Sequence, residues 1–489
     1  MFDELKKLLK QSAIYGIGSI VTPFIGFVML PVYSRYLTPA EYGVLAVTAV
    51  VIAFLSVLIA LGISSGLLRF YFAYGKRREK DEVIISSLLF SLFSSAVFIL
   101  VLWSFAFEIS ELVFDFENGE LFFKLVIFTA ALNTGITNCL AVLRAEEKPV
   151  VYSTITVLRL VLTFSLNIVF VVVLRRNVQG ILEAGLVSGA VSYAVVAAIV
   201  LKGRAFSMSW TKIKEVLAYG LPLVPGGVAA LVLTLCDRYF LKHFATMEDV
   251  GLYSVGFRVA SALRIAVIEP FRIAWPPYML SVVERAEAKD IYKKVFVYFT
   301  FIAVWAGLGL SLFAQEGLRI LTTPAYYSAY RVVPLLVISY VLFGMCAVLV
   351  AGIHITKKTK YASYSFMTAA LVSLLLNYVL VPRFGMMGAA VASVAAYVTL
   401  CILYFTMSQR FYRIEHEFGR IALIFIAGLA LYGICAFATS GRGVSAAVVI
   451  KTVCLLLYPV LLYFGRFFRK EEIARIRELL HLRKKTTPH

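Results

Sequence analysis

Charge is scarce in this sequence. Lys, Arg, Asp and Glu make up 15% of its 489 residues, where a soluble domain carries about 25%. Together with 61% hydrophobic residues and a mean hydropathy of +0.88, that shortage excludes a soluble globular enzyme, a disordered chain and a secreted disulfide scaffold. Cysteine chemistry is missing as well. The six cysteines, at 139, 236, 346, 401, 435 and 454, all fall inside apolar runs and form no CxxC pair. They read as small buried residues, with no disulfide framework and no metal site. The five histidines are scattered, and there is no P-loop or dinucleotide fingerprint. Acids are the scarcest charge of all: 28 Asp and Glu stand against 47 Lys and Arg, a formal charge of +19.

Long hydrophobic runs fill the chain instead. A transmembrane helix needs about 20 apolar residues, and fourteen stretches qualify: approximately 11–33, 43–66, 83–107, 121–143, 150–174, 179–201, 216–236, 251–273, 295–315, 332–353, 361–381, 386–407, 418–439 and 444–465. Very short links within 150–201 and 361–407 leave twelve or thirteen open. The runs are long and do not alternate, so the expected fold is an all-α polytopic membrane protein. The start MFDELKKLLK resembles a signal-peptide n-region, but no small-residue cleavage site follows it. It reads as the lead-in to a retained first span.

The surplus cations concentrate in alternate loops: KRREKDE at 76–82, KGR and KIK within 202–214, and KKTK at 357–360. The segment EISELVFDFENGE at 108–120 has no cation and belongs on the other face. By the positive-inside rule both termini are cytoplasmic and the span number is even, as expected of a multi-pass membrane protein. The surplus is thus mostly topological, and no nucleic-acid module is present. The basic tail 466–489 is amphipathic over its helical part. It is expected to lie on the inner surface against anionic lipids, or to bind a partner.

Two halves repeat. Aligning Gly43 on Gly251 also brings Glu41 onto Asp249. Asn167 in the fifth span matches Asn377 in the eleventh. Gly180, Ala184 and Ser188 open the sixth span as Gly385, Ala389 and Ser393 open the twelfth; small residues at this spacing let helices approach closely. Spans 1–6 and 7–12 read as six-helix bundles of the same orientation, over 1–205 and 206–410. A pseudo-twofold along the membrane normal relates them, with helices 13 and 14 added at 411–465. Span 1 carries Pro23 and Gly26; span 7 carries Pro222 and Pro225. Paired interruptions of this kind either mark gating kinks or serve packing only.

The opening QSAIYGIGSIVTPFIGFVMLPVYSRYLTPAEYGVLAV, GLLRFYF at 66–72 and DRYFL at 237–241 followed by VGLYSV at 250–255 resemble polysaccharide transporters. These belong to the multidrug/oligosaccharidyl-lipid/polysaccharide exporter superfamily, and the nearest branch is the O-antigen and exopolysaccharide repeat-unit flippases. The resemblance implies alternating-access, ion-coupled flipping of an undecaprenyl-diphosphate-linked oligosaccharide from inner to outer leaflet. It implies no ATP, no enzyme activity, no resident cofactor and a proton or sodium ion as coupling ion. It also implies possible partnership with polysaccharide polymerase and export proteins, besides membrane lipids. The alternatives are a multidrug exporter or peptidoglycan-precursor flippase of the same fold, and a membrane glycosyltransferase. The last would want a large outer loop with paired catalytic groups, which the chain lacks.

Four cations lie deep in spans: Arg159, Arg258, Arg264 and Lys451. Each costs about 2.5–3.5 kcal/mol at a helix centre. Arginine offers forked donors to phosphate oxygens, so Arg159, Arg258 and Arg264 are candidate diphosphate ligands. The other reading pairs them with Glu183, Asp237 or Glu269. Arg35 and Arg69 match arginines of the family and are weaker candidates, or interface anchors. Asn167 and Asn377 are candidate sugar contacts, or interhelical hydrogen bonds. Lys451 reads as a snorkelling side chain or a headgroup contact, and Tyr326, Tyr327 and Tyr330 as sugar platforms or interface residues. Glu183 and Asp237 are the acids that bear on ion coupling, unless Asp237 simply pairs with Arg238.

Overall fold

A computed structural model describes residues 26–114, 118–465 and 467–468. Most of the first expected span, Pro23 with it, and the basic tail lie outside the described residues. The described chain is all helical and contains no strand. Twelve of its helices are long and apolar enough to cross a membrane. One of them, Lys360–Phe411, has 52 residues and serves as the expected spans 11 and 12, because Gly385 breaks it with a positive φ of 52°. The spans keep their sequence numbering below, the second being Pro39–Ala73 and the fourteenth Val444–Phe464.

The repeat has a local physical origin. Thr38 caps the second span, with Glu41 reaching back to the Thr38 backbone N–H at 2.8 Å and Pro39 preset in the first turn. Thr246 and Asp249 build the same reciprocal cap on the eighth span, Met247–Ser281. Each box satisfies donors that a helix start leaves open. Each therefore fixes a sharp turn on the face away from the basic loops, called here the acidic face. Beside these turns the equivalent glycines of the two halves touch. A Cβ on Gly43 would strike the Met247 carbonyl, and one on Gly251 would strike the Pro39 carbonyl. Equivalent residues in mutual contact are what a twofold axis produces where it passes between them.

A second glycine contact closes the basic face. The second span breaks at Leu61 and Gly62, both with positive φ. The seventh, Trp210–Phe244, passes through a 3₁₀ turn at Leu221–Leu223 that carries Pro222, with Pro225 in the first turn of the helix beyond. These breaks face each other, Gly62 against the Gly220 backbone. The kink of span 7 expected from its prolines is therefore matched across the halves by span 2. Tyr74 donates to Glu215 in the same region, and Lys212 sits over the Tyr74 ring at 3.1 Å.

The second span packs on the fourth and eighth, and the seventh on the eleventh and twelfth. Helices Phe418–Thr439 and Val444–Phe464 pack on each other and against the ninth span, Ala288–Leu312. Lys451 does not snorkel. It is buried and bonds both Glu316 oxygens at 2.7 and 2.8 Å. Tyr326 is buried too, donating to the Leu37 carbonyl at 2.9 Å, so it offers no platform to a sugar.

Candidate functional site

Between the glycine contacts lies a cavity of about 430 Å³ lined by both halves. The first, second, fifth and sixth spans supply Gly26, Tyr42, Thr163, Asn167 and Ile181; the seventh and eighth supply Arg238, Ser254 and Arg258. Its polar groups are unusual in having so few partners. Among the described residues Arg258 has no carboxylate within 4 Å, and neither has Arg238. Arg238 instead covers the Phe257 ring at 4.2 Å and reaches the Thr234 carbonyl at 3.4 Å. Tyr42 Oη, Asn167 Oδ1 and Ser254 Oγ are buried in the wall with no hydrogen-bond partner among the described residues. A buried polar atom left unmatched costs about 1–3 kcal/mol, and guanidinium groups within the membrane without an ion pair cost more. A polar anionic occupant would relieve both at once.

The Arg258 guanidinium is seated on glycine. A Cβ at Gly26 would occupy the place of Nη1, so the glycine's role here is to make room. Six residues beyond Arg258 the eighth span widens into a π-turn at Arg264–Ile268, and in the fifth span a π-turn at Ile168–Val173 directly follows Asn167. Such widened turns re-aim the side chains around them and recur at functional sites.

The other expected site residues go elsewhere. Arg264 bonds Glu269 at 2.8 Å, and Arg272 covers the Phe343 ring at 4.3 Å beside it. Arg159 bonds Asn133 of the fourth span. Arg35 is exposed. Arg69 is exposed and covers the Tyr219 ring at 4.9 Å.

Asn377 is fully buried away from the cavity wall, and it belongs to a closed cluster around Asp237. That carboxylate accepts from Tyr253, from Ser393 at 2.8 Å and from Asn377 at 3.1 Å. Asp237 does not pair with Arg238. Neighbours in a helix project about 100° apart, so the acid turns to spans 8, 11 and 12 while the guanidinium turns to the cavity. Asn377 also donates to the Ser373 carbonyl at 2.9 Å, and its Oδ1 has no partner among the described residues. The fifth span repeats this arrangement without an acid. Asn167 donates to the Thr163 carbonyl at 2.7 Å, Thr163 to Ser188 at 3.0 Å. Glu183, the other acid considered for coupling, is paired with Arg176 at 2.6 Å.

Arg238 escaped the sequence reading because an adjacent acid makes a neutral pair the economical guess. The signal that would have found it is the one-residue step between two helix faces.

The fold is that of known transporters. The chain resembles the solved "Lipid II flippase MurJ, inward closed conformation" with a TM-score of 0.75 at 12% identity, over 93% of this chain and 99% of that one. It resembles an inward-facing multidrug resistance MATE family transporter of the MOP superfamily with a TM-score of 0.65 at 16% identity, over 85% and 95%. Among curated sequences, protein 1 of the Lsg locus of Haemophilus influenzae is 24% identical over 274 residues, which are 53% of this chain. The match spans 63% of that relative's length. An uncharacterized membrane protein of the same organism is 20% identical over 288 residues, 58% of this chain and 67% of the relative. Over residues 8–283 the chain matches the profile of the polysaccharide biosynthesis protein family, and it belongs to that family.

Proposed function

We propose that this protein is a flippase that carries an undecaprenyl-diphosphate-linked oligosaccharide from the inner to the outer leaflet for surface polysaccharide biosynthesis. The observation that carries this reading is the cavity between the halves, with two guanidinium groups that form no ion pair within 4 Å and three polar atoms that have no hydrogen-bond partner among the described residues. The arginines suit a diphosphate, and the orphaned hydroxyls and amide suit sugar or phosphate oxygens. An exporter of organic cations would want acids where this cavity has Arg238 and Arg258. On this reading the basic loops face the cytoplasm, both termini lie there, and the protein sits in the inner membrane.

Transport is ion-coupled through Asp237. Its oxygens, the Ser393 hydroxyl and the free Asn377 Oδ1 form a hard-oxygen set suited to a proton or a sodium ion. The two glycine contacts then serve as gates on the two faces, opening in alternation.

The test is complementation of a strain deleted for this gene, with surface polysaccharide and membrane abundance both measured. The Arg238→Gln/Arg258→Gln variant is expected to reach the membrane at normal abundance and yield less than a tenth of the polymer. Wild-type polymer levels from that variant would overturn the reading.

A further inference from the structure

A second polar cavity, of about 340 Å³, lies at the basic ends of spans 2, 3, 4 and 6 and shares no lining residue with the central one. Five cations and two carboxylates line it. Its centre is Arg204. The sixth span ends at Leu201, and Gly203 takes the left-handed conformation at φ 75°, the usual helix-ending turn. That reversal sends the Arg204 side chain beneath span 4. There it bonds Asp81 at 3.1 Å through Nε and Glu146 through Nη2. The side chain is only 8% exposed, yet Nη1 is buried with no hydrogen-bond partner among the described residues.

The charge around it is unbalanced. Asp81 and Glu146 are committed to Arg204, and Glu146 also to Lys148 at 2.9 Å. Arg77, Lys80 and Lys202 line the same cavity with no carboxylate partner among the described residues. The wall also has an apolar side. Ile199 and Val200 belong to the lining, and Phe72 and Leu201 stand exposed next to lining residues.

We propose that this pocket binds the phosphate of an anionic phospholipid headgroup at the membrane surface. The Arg204 donor and the three cations without a carboxylate partner, Lys80 among them over the Tyr71 ring at 4.8 Å, supply the phosphate's ligands. The apolar side receives the start of the acyl chains. Basic pockets between spans on the cytoplasmic side are a recurring form of lipid recognition. A freely soluble phosphate compound would match the charge but leave the apolar rim unused. The inference stands whether or not the central cavity carries a lipid-linked glycan, because it uses none of that cavity's residues.

The test is retention of phosphatidylglycerol by the full-length protein. The protein is extracted from vesicles of phosphatidylcholine and phosphatidylglycerol, and bound lipid is counted by mass spectrometry. Each lost cation is expected to weaken retention roughly fivefold, about 1 kcal/mol near a membrane surface. Lys80→Gln/Lys202→Gln should therefore retain about 25-fold less lipid. Both side chains lie outside the Arg204 ion pairs, so the variant should fold normally. Arg78→Gln/Lys357→Gln removes two exposed cations that do not line the cavity and should change nothing. Unchanged retention by the first variant, or an equal loss from the second, would overturn the proposal. So would displacement of the lipid by millimolar inorganic phosphate or glycerol 3-phosphate, which would mark a soluble ligand instead.

Discussion

The two halves hold the same polar motif and close it differently. In each, an asparagine on the fifth or eleventh span donates to the carbonyl one turn back, Thr163 or Ser373, and leaves its Oδ1 unmatched. In each, the serine of the following span lies close by, Ser188 or Ser393. The C-terminal copy adds Asp237 and Tyr253, and all four side chains are buried together. At the positions that the alignment of Gly43 on Gly251 assigns to Asp237 and Tyr253, the N-terminal half has Met29 and Leu45. Both of these line the central cavity, as does Asn167. One copy has thus become a sealed carboxylate site and the other part of an open wall. On the proposed function, the differences at these two positions assign the ion to the C-terminal copy and the cargo to the wall that holds the N-terminal one.

The largest effect should come from removing what only the C-terminal copy has. Asp237→Ala strands the Tyr253 hydroxyl and the Ser393 hydroxyl inside the protein, at about 1–3 kcal/mol each. It should abolish polymer export and lower the thermal midpoint of the purified protein. Asp237→Asn keeps a hydrogen-bonding group in place, so it should fold. In reconstituted vesicles it should move lipid at a rate that no longer responds to a proton or sodium gradient. A gradient response left intact in Asp237→Asn would remove the acid from the coupling role.

The glycine contacts give the next effect, and here the halves should behave alike. An alanine at either Gly43 or Gly251 meets a backbone carbonyl, which cannot yield as a flexible side chain would. Overpacking of this kind costs about 1–3 kcal/mol, and the strain is relieved by opening the acidic face. Both variants should raise the labelling rate of a cysteine placed at Ala46, on the cavity wall, by about tenfold from that face. Gly62→Ala, at φ 71° and against Gly220, should raise labelling of the same cysteine from the basic face. Opposite effects from Gly43→Ala and Gly251→Ala would break the twofold reading.

Gly26→Ala tests the seat of Arg258 alone. The guanidinium must leave its place over the glycine, and a misplaced charge-assisted contact is worth about 1.5–3 kcal/mol. A fall of about tenfold or more in transport at limiting substrate is expected, with ion dependence unchanged. Transport at the wild-type level would mean that Arg258 does its work from another position.

Much of this arrangement is legible in the sequence. Apolar runs gave the spans, and Gly43 and Gly251, or Asn167 and Asn377, could be matched by eye because a repeat preserves spacing. Spacing names equivalent residues, but it does not say that the axis passes between two of them, as it does at Gly43 and Gly251. Nor does it reveal contacts made across more than a hundred residues, such as Ser393 and Asn377 on Asp237. Arg264 and Arg159 looked as promising as Arg258 because depth in a span says nothing about the face. Six residues on from Arg258 the helix has turned by about 240°, toward Glu269 and Phe343. The break at Leu61–Gly62 hid in a run that reads as uninterrupted apolar helix.

The finest test compares the two asparagines directly. Asn167→Ala removes from the cavity wall an amide whose Oδ1 has no partner among the described residues. Asn377→Ala removes the equivalent amide from the sealed carboxylate. A single neutral hydrogen bond is worth about 1 kcal/mol, roughly fivefold. Asn167→Ala should therefore raise the substrate concentration for half-maximal flipping about fivefold and leave the ion concentration for half-maximal stimulation unchanged. Asn377→Ala should do the reverse. Measuring both constants in both variants makes the outcome informative in either direction. If each substitution shifts both constants equally, the halves share one site, and the division of labour inferred from Met29 and Leu45 against Asp237 and Tyr253 fails.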